Sequence, residues 1–249
     1  MKAKFAILKK LKSPLKIVNL EIPNLSEGQI LVKINYTSIC RSQIMEIDGM
    51  RGNDKWIPHL LGHEGSGIVI KKGKGVKYFK IGDRVLVTWI STEGIKAKNP
   101  KFNYKQEIIN SGSSTTFSQF SIVSEDKLIK LPEFLDLKKA SFFGCAIPTG
   151  FGMVLNEINQ RKKKKKILII GLGGIGVSTL ICLKILKFLD VSVLESNQDK
   201  INQLKKNKNF IHIKTYNYSN DIKKNYYDYV LECAGSVKTI QHAFKFINY

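Results

Sequence analysis

The sequence predicts two domains of different class: an all-β, barrel-like unit over residues 1–148, then an incomplete parallel doubly wound α/β sheet over residues 149–249. Three observations lead there. Before Pro148, short strand-like runs are punctuated by Pro23, Pro58, Pro132 and paired glycines, as in all-β units. Beyond it, fully apolar strand-like runs alternate with helical stretches, the pattern of a parallel sheet covered on both faces. Between the first of those strands and its helix lies Gly171-x-Gly173-x-x-Gly176.

The elements follow in order. Residues 1–6 alternate like a strand, and residues 30–34, 66–70, 83–88 and 120–123 read as further strands of the first unit. In the second unit residues 167–171 form a buried strand, 173–189 a helix, 191–194 a strand and 200–206 a helix. Residues 229–232 are another buried strand and 238–246 a last helix. A complete doubly wound nucleotide-binding sheet has about six strands, and at most four are legible here.

A chain of 249 residues with 43% hydrophobic content can bury two cores. The formal net charge of +21 raises nucleic acid or an anionic membrane as partners. Its lysines, however, are scattered among isoleucine and asparagine, as AT-rich coding produces. The one run, Lys162 to Lys166, reads as a solvated turn ahead of the Ile167 strand, and no aromatic residues interleave with it to stack bases. No nucleic-acid partner is expected. The apolar stretch 175–189 is broken by Lys184 and Lys187, and the N-terminus lacks the apolar core of a signal peptide, so no membrane association is expected. Four widely spaced cysteines without a Cys-x-x-Cys pair fit a reducing compartment, and the expectation is a cytoplasmic protein. Cys182 and Cys233 read as small core residues.

The glycine loop carries a cofactor argument. Gly171 allows the tight turn, Gly173 lets backbone approach a pyrophosphate, and Gly176 permits close helix–strand packing. The helix N-terminus adds unpaired N–H donors and a favourable dipole. Glu195 ends the next strand, where a carboxylate accepts from the ribose 2′-hydroxyl and repels a 2′-phosphate, which favours NAD over NADP. The plain alternative is a solvated strand end.

The most informative stretch is Gly62-His63-Glu64-Gly65-Ser66-Gly67, with Gly73 and Val76 downstream. Together Cys40, His63 and Cys145 make a two-cysteine, one-histidine set, that of a catalytic zinc with one position open. The segments Cys40-Arg41-Ser42, Gly62 through Val76, Gly82-Asp83-Arg84-Val85, Gly144 through Gly152 and Gly171-Leu172-Gly173-Gly174-Ile175-Gly176 occur in this order, along nearly the whole chain. In that order they resemble zinc-dependent medium-chain alcohol dehydrogenases.

The resemblance implies a GroES-like barrel-type catalytic domain followed by a Rossmann domain. It implies an alcohol or carbonyl substrate and hydride exchange with NAD. Ser42 would relay the alcohol proton, Arg41 would contact the NAD pyrophosphate, Glu64 would lie beside the zinc, and Lys200 would contact the adenosine ribose. Gly171, Gly173, Gly174 and Gly176 would line the cofactor. The bland reading of Ser42 is a helix N-cap, compatible with the relay; His59, His212 and His242 read as ordinary surface or core histidines.

Three departures stand out. Gln43 replaces an aspartate that supports the ligating histidine, and Met45 stands where some relatives carry a relay histidine. Residues 88–116 contain no cysteine, so one catalytic zinc and no structural zinc is expected. That segment holds Trp89, Ile108 and the run Ser111 to Thr116, read as a loop near the substrate cleft. Features at Ser42-Gln43 and Thr115-Thr116-Phe117 suggest a polyol or sugar-like secondary alcohol. Because the chain stops at Tyr249, a C-terminally truncated member is expected, with an exposed sheet edge, poor solubility and negligible turnover alone; the full-length protein would be a homo-oligomer. The competing readings are a non-catalytic remnant that binds zinc or nucleotide, and a zinc-free quinone-reductase-like enzyme, which the presence of all three ligands disfavours.

Overall fold

A computed structural model describes residues 1–161 and 164–248; Lys162 and Lys163 of the lysine run, and Tyr249, lie outside the described residues. The chain divides into two compact units, Met1–Cys145 and Ala146–Tyr249. The division falls three residues before the change of rhythm at Pro148. Ala146 opens a helix that packs on its neighbour in the second unit, and Pro148 sits in its first turn, where a missing N–H costs nothing.

The first unit contains β1 (Lys2–Leu8), β2 (Lys16–Glu21), β3 (Gln29–Thr37), α1 (Arg41–Ile47), β4 (His59–Leu60), β5 (Gly65–Lys72) and β6 (Arg84–Val87). It continues with β7 (Lys101–Tyr104), β8 (Glu107–Asn110), β9 (Phe120–Ser124), β10 (Leu128–Lys130) and the short α2 (Leu137–Ala140). Two five-stranded sheets result, in the orders β2-β1-β4-β8-β7 and β10-β6-β5-β3-β9. Strand β3 shows how the alternating pattern serves both cores. Leu31 packs with Phe5, Val18 and Phe102, whereas Ile30 and Val32 face the other way, onto Val69, Val85 and Leu128. The strands not foreseen, β2, β4, β7, β8 and β10, are short or mostly polar. For example, the β7–β8 hairpin buries only Phe102 and Ile109.

The second unit contains α3 (Ala146–Glu157), β11 (Ile167–Ile170), α4 (Gly174–Ile185), β12 (Val191–Leu194), α5 (Gln198–Lys206), β13 (Lys214–Tyr216), β14 (Tyr229–Glu232) and α6 (Val237–Ala243). Its sheet is parallel throughout, in the order β13-β12-β11-β14. Read in order along the chain this is 3-2-1-4, the first part of a doubly wound dinucleotide sheet, with the topological switch between β11 and β14. All four residues of β11 and of β12 are buried, which explains why β11 is wholly apolar and β12 apolar except for Ser192. Helix α4 ends at Ile185, short of the expected residue 189. Leu186 caps it and Lys187 takes a positive φ of 60°, while Phe188 turns into the core at 5% exposure. Among the described residues no helix is long and apolar enough to cross a membrane.

Close approach of β5 to β3 fixes the strand that carries the His-Glu block. An added Cβ on Gly67 would lie 2.1 Å from the Lys33 carbonyl oxygen, beside the irregularity between Ile34 and Tyr36. Gly67→Ala is expected to destabilise the first unit by about 1–3 kcal/mol, the usual cost of overpacking, and to lower its melting temperature by roughly 3–10 °C. Trp56 and Trp89, the two tryptophans of the chain, both lie in that unit, so thermal unfolding followed by tryptophan fluorescence reads it selectively. An unchanged midpoint would contradict the close β3–β5 contact.

Candidate active site

Three separate segments of the first unit deliver the candidate ligands. Cys40 lies at the end of the stretch after β3 and is the N-cap of α1, with an extended φ of −91° and ψ of 145°. His63 and Glu64 occupy the turn that leads into β5, and Cys145 follows the 3-10 turn Ser141–Gly144. Their ligand atoms, with those of Glu64, all lie within 4.8 Å of one another. The Cys40 and Cys145 sulfurs are 3.9 Å apart. Two thiolates at roughly 2.3 Å from one tetrahedral ion would be separated by about 3.8 Å. The spacing suits a shared metal, and it is nearly twice the length of a disulfide.

Polar groups behind the cluster hold the three segments together. Thr37 Oγ1 and Thr116 Oγ1 both donate to the Glu64 carbonyl oxygen, at 2.9 and 3.0 Å, and lie 2.8 Å from each other. Thr88 Oγ1 donates to the Gly144 carbonyl at 2.7 Å, and Ser38 Oγ donates to the Ser141 carbonyl at 3.1 Å. The Cys145 turn comes so near Glu64 that a Cβ on Gly144 would lie 2.6 Å from Glu64 Cβ and 2.7 Å from the Val87 carbonyl oxygen. Only glycine fits there. Gln43 acts one step further out: its Oε1 accepts from the Gly62 N–H, and its Nε2 donates to Glu46 Oε2 at 3.1 Å. Gln43 therefore supports His63 through the preceding peptide.

The electrostatics of the cluster are those of a site built around a cation. Burial holds the His63 imidazole below its ordinary value, with Arg51 adding to the effect; a metal requires that neutral form. Burial pushes Glu64 up to about 7, against an opposing hydrogen bond from the Cys145 backbone N–H. Burial likewise pushes the Cys145 thiol up to about 12, with Cys40 and Glu64 beside it adding to the rise and a Trp89 hydrogen bond opposing it. Among the described residues His63 Nε2 and Glu64 Oε2 are buried with no hydrogen-bond partner. Unpaired buried acceptors are costly. A divalent ion would satisfy both the geometry and these two atoms, so the donor set fits a zinc.

The remaining expected residues occupy less constrained positions. Ser42 is half-buried in the first turn of α1, and because Cys40 is the N-cap, Ser42 does not cap the helix. Arg41 is exposed at the first position of α1. The run Ser111 to Thr116 is a loop between β8 and β9, and most of it is buried. Ser111, Ser114, Thr115 and Thr116 are all buried, Thr116 completely, and Thr116 braces the cluster through its bond to the Glu64 carbonyl. His59 is a core histidine. It is 6% exposed, with Nδ1 2.9 Å from the Leu60 carbonyl and Nε2 2.8 Å from Asp54 Oδ2, and Glu46 completes a second cluster of potential ligands. That cluster is paired within itself and clips the segment after α1 to β4.

In the second unit the glycine loop lies between β11 and α4. Gly171 has a φ of +95° and packs against Ala234, and Gly176 approaches Gly171 so closely that a Cβ would lie 1.9 Å from its carbonyl oxygen. Gly173, the N-cap of α4, carries no side-chain cap, and an added Cβ there would meet nothing within 4 Å. Gly174 is the first residue of the helix. The side of the loop where a Cβ would point at Gly173 is thus open at the helix N-terminus, where a phosphate binds favourably. Glu195, next after β12, is 6% exposed. Its Oε2 accepts from the Leu172 N–H at 2.7 Å and its Oε1 from the Asn197 N–H at 2.9 Å, with Lys200 Nζ 3.5 Å from Oε2. Burial alone would raise its pKa, but these donors hold it below the ordinary carboxylate value.

Sequence reasoning missed the contributions of Thr37, Thr88 and Thr116. Their hydroxyls act at separations of 27 to 79 residues, and no local pattern marks them.

The profile of the alcohol dehydrogenase GroES-like domain matches residues 26–133. An alcohol dehydrogenase class-3 from Caenorhabditis elegans is 28% identical over 96% of this chain and 71% of its own length. Among solved structures, an alcohol dehydrogenase zinc-binding domain protein from Burkholderia ambifaria gives a TM-score of 0.85 at 18% identity, covering 99% of this chain and 74% of its own. Benzyl alcohol dehydrogenase from Acinetobacter calcoaceticus gives 0.83 at 18% identity, covering 100% and 75%. The chain thus carries an alcohol dehydrogenase GroES-like domain, is similar to alcohol dehydrogenases along nearly its whole length, and has their fold.

Proposed function

We propose that the protein exchanges a hydride between an alcohol, or its carbonyl counterpart, and NAD, with one zinc held by Cys40, His63 and Cys145. Supporting the metal are ligand atoms within 4.8 Å of one another and two orphaned buried acceptors, His63 Nε2 and Glu64 Oε2. Zinc in such a site supplies a Lewis acid that lowers the pKa of an alcohol hydroxyl. The chain's own residues do the rest. Cys40 and Cys145 provide negative charge, while the depressed His63 stays neutral and free to ligate. Glu64, whose carboxyl burial pushes up to about 7 in the metal-free cluster, would lie beside the zinc and add a carboxylate next to the ligands. Ser42, two residues from Cys40 and half-buried, offers its hydroxyl to take the alcohol proton onward. Met45 has no group to continue that path, so it leaves by another route.

For the nucleotide, the open glycine turn and the α4 N-terminus receive the pyrophosphate. The negative charge of Glu195 disfavours a 2′-phosphate, which makes NAD the preferred acceptor of hydride, and Lys200 beside it contacts the adenosine ribose. A polyol or sugar-like substrate draws no support from Gln43 or Thr116, because both face inward. The substrate class is an alcohol.

The direct test is NADH formation by zinc-loaded protein offered NAD and a panel of primary and secondary alcohols. Turnover should appear with some member of the panel. Cys40→Ala should lower it by at least about two powers of ten, as loss of a Lewis acid worth several kcal/mol requires, while NAD still binds. Metal analysis should find about one zinc per chain, and His63→Ala should lose it. Two ions in the native chain, or none, would contradict the reading.

A pH dependence follows from Cys145. Its thiol, pushed up to about 12, is protonated at neutral pH without metal, so zinc must displace that proton. Apparent zinc affinity should therefore rise by at least about tenfold per pH unit between pH 6.5 and 7.5, measured against a chelator competitor. An affinity that stays level across that range would show that Cys145 is not a ligand.

A further inference from the structure

We propose that Glu195 is a positioning residue for the glycine loop: its carboxylate takes over the parallel strand ladder where β12 ends and holds the Leu172 peptide in the shape that receives a pyrophosphate. This rests on the dinucleotide reading above and departs from it on one point. There the carboxylate acts on the ribose; here it acts through the loop.

The ladder itself carries the argument. β11 and β12 pair in register up to Ile170 and Leu194, and the next N–H, that of Gly171, donates to the Leu194 carbonyl at 2.7 Å. One residue further, the Leu172 N–H donates to a side chain, Glu195 Oε2, at 2.7 Å. The Glu195 backbone is occupied elsewhere, its N–H donating to the Tyr216 carbonyl of β13 at 3.0 Å. The carboxylate thus adds one hydrogen bond from the end of β12 to the loop, beyond the last backbone rung. It is in turn fixed by the Asn197 N–H at 2.9 Å on Oε1 and by Lys200 Nζ at 3.5 Å on Oε2. Being 6% exposed, it is turned into the protein.

The loop needs such a hold. Leu172 is flanked by Gly171 and by Gly173-Gly174, and glycine loses more conformational freedom on ordering than any other residue. Leu172 anchors it twice, by a side chain 5% exposed in the core with Leu180 and Val193, and by the N–H on Glu195. A loop ordered before binding spares the ligand that entropic cost. Glu195 should accordingly contribute to affinity for any ligand that uses the loop, with or without a ribose 2′-hydroxyl.

The experiment compares NAD with 2′-deoxy-NAD (lacking the adenosine ribose 2′-hydroxyl) on full-chain protein and on Glu195→Ala and Glu195→Gln. Amide hydrogen exchange is followed in the same proteins without nucleotide. Glu195→Ala should speed exchange of the Leu172 amide by at least about tenfold and weaken both nucleotides by the same factor, about 10- to 100-fold, the range for a charge-assisted hydrogen bond. Glu195→Gln keeps one carbonyl oxygen for the Leu172 N–H and should recover part of both losses. The proposal is overturned if the Leu172 amide is unaffected in Glu195→Ala. It is equally overturned if only NAD weakens and 2′-deoxy-NAD binds as before, which would assign the carboxylate to the ribose. A native protein that binds neither nucleotide would refute the dinucleotide reading, whereas the exchange rate still decides the latch.

Discussion

The structure of the first unit depends on gathering two thiols, an imidazole and a carboxylate at one partly buried point. Without a cation that arrangement is unfavourable. Cys145 is driven to about 12 and Glu64 to about 7 by burial, and two acceptor atoms have no partner. Such a cluster persists in a fold only if something else holds the segments together, and here it is a set of hydroxyl-to-carbonyl bonds from Thr37, Thr88, Thr116 and Ser38. Each of these hydroxyls donates to a backbone carbonyl. They fix the backbone that carries the ligand atoms, as a pre-organised metal site requires.

The same device recurs in both units. Gln43 Oε1 accepts the N–H of Gly62, next to His63, and Glu195 Oε2 accepts the N–H of Leu172, inside the glycine loop. Each is a buried side-chain oxygen standing in for a backbone carbonyl where a glycine-flanked turn leaves the regular ladder. The need has one cause. Glycine lets the chain pass close to a metal or a phosphate, but it leaves the turn loosely defined, and a long-range acceptor restores the definition.

That device also explains why features that resembled substrate contacts are not exposed. Gln43 and Thr116 are polar and sit near the ligands in sequence or space, but both are buried, with Gln43 Oε1 taken by the Gly62 N–H and Thr116 Oγ1 donating to the Glu64 carbonyl. A buried polar side chain must be satisfied, and around this cluster the Gly62 N–H and the Glu64 and Gly144 carbonyls are the partners used. Trp89 differs. It is 52% exposed and also hydrogen-bonded to Cys145, so it alone of the residues singled out between 88 and 116 combines contact with a ligand and access to solvent.

Local sequence determined what local physics controls. Apolar runs at 167–170 and 191–194 could only be strands buried on both faces, the glycines at 171, 173 and 176 announced a turn against a helix N-terminus, and Cys40, His63 and Cys145 announced a metal by their donor chemistry. Short polar strands such as β7 and β8, the early end of α4 and the capping of α1 by Cys40 were not legible, because pairing partners and cap geometry are set by distant chain. Tertiary structure alone decided the direction of each polar side chain. The Glu195 motif position is readable from its distance along the chain, but whether its carboxylate faces solvent or the Leu172 N–H depends on where β11 and β12 end relative to one another. Likewise a threonine at 116 carries no signal in one dimension. It acquires a role only when β5 and the chain before β9 come together, since a hydrogen bond is a short-range contact that sequence separation does not encode.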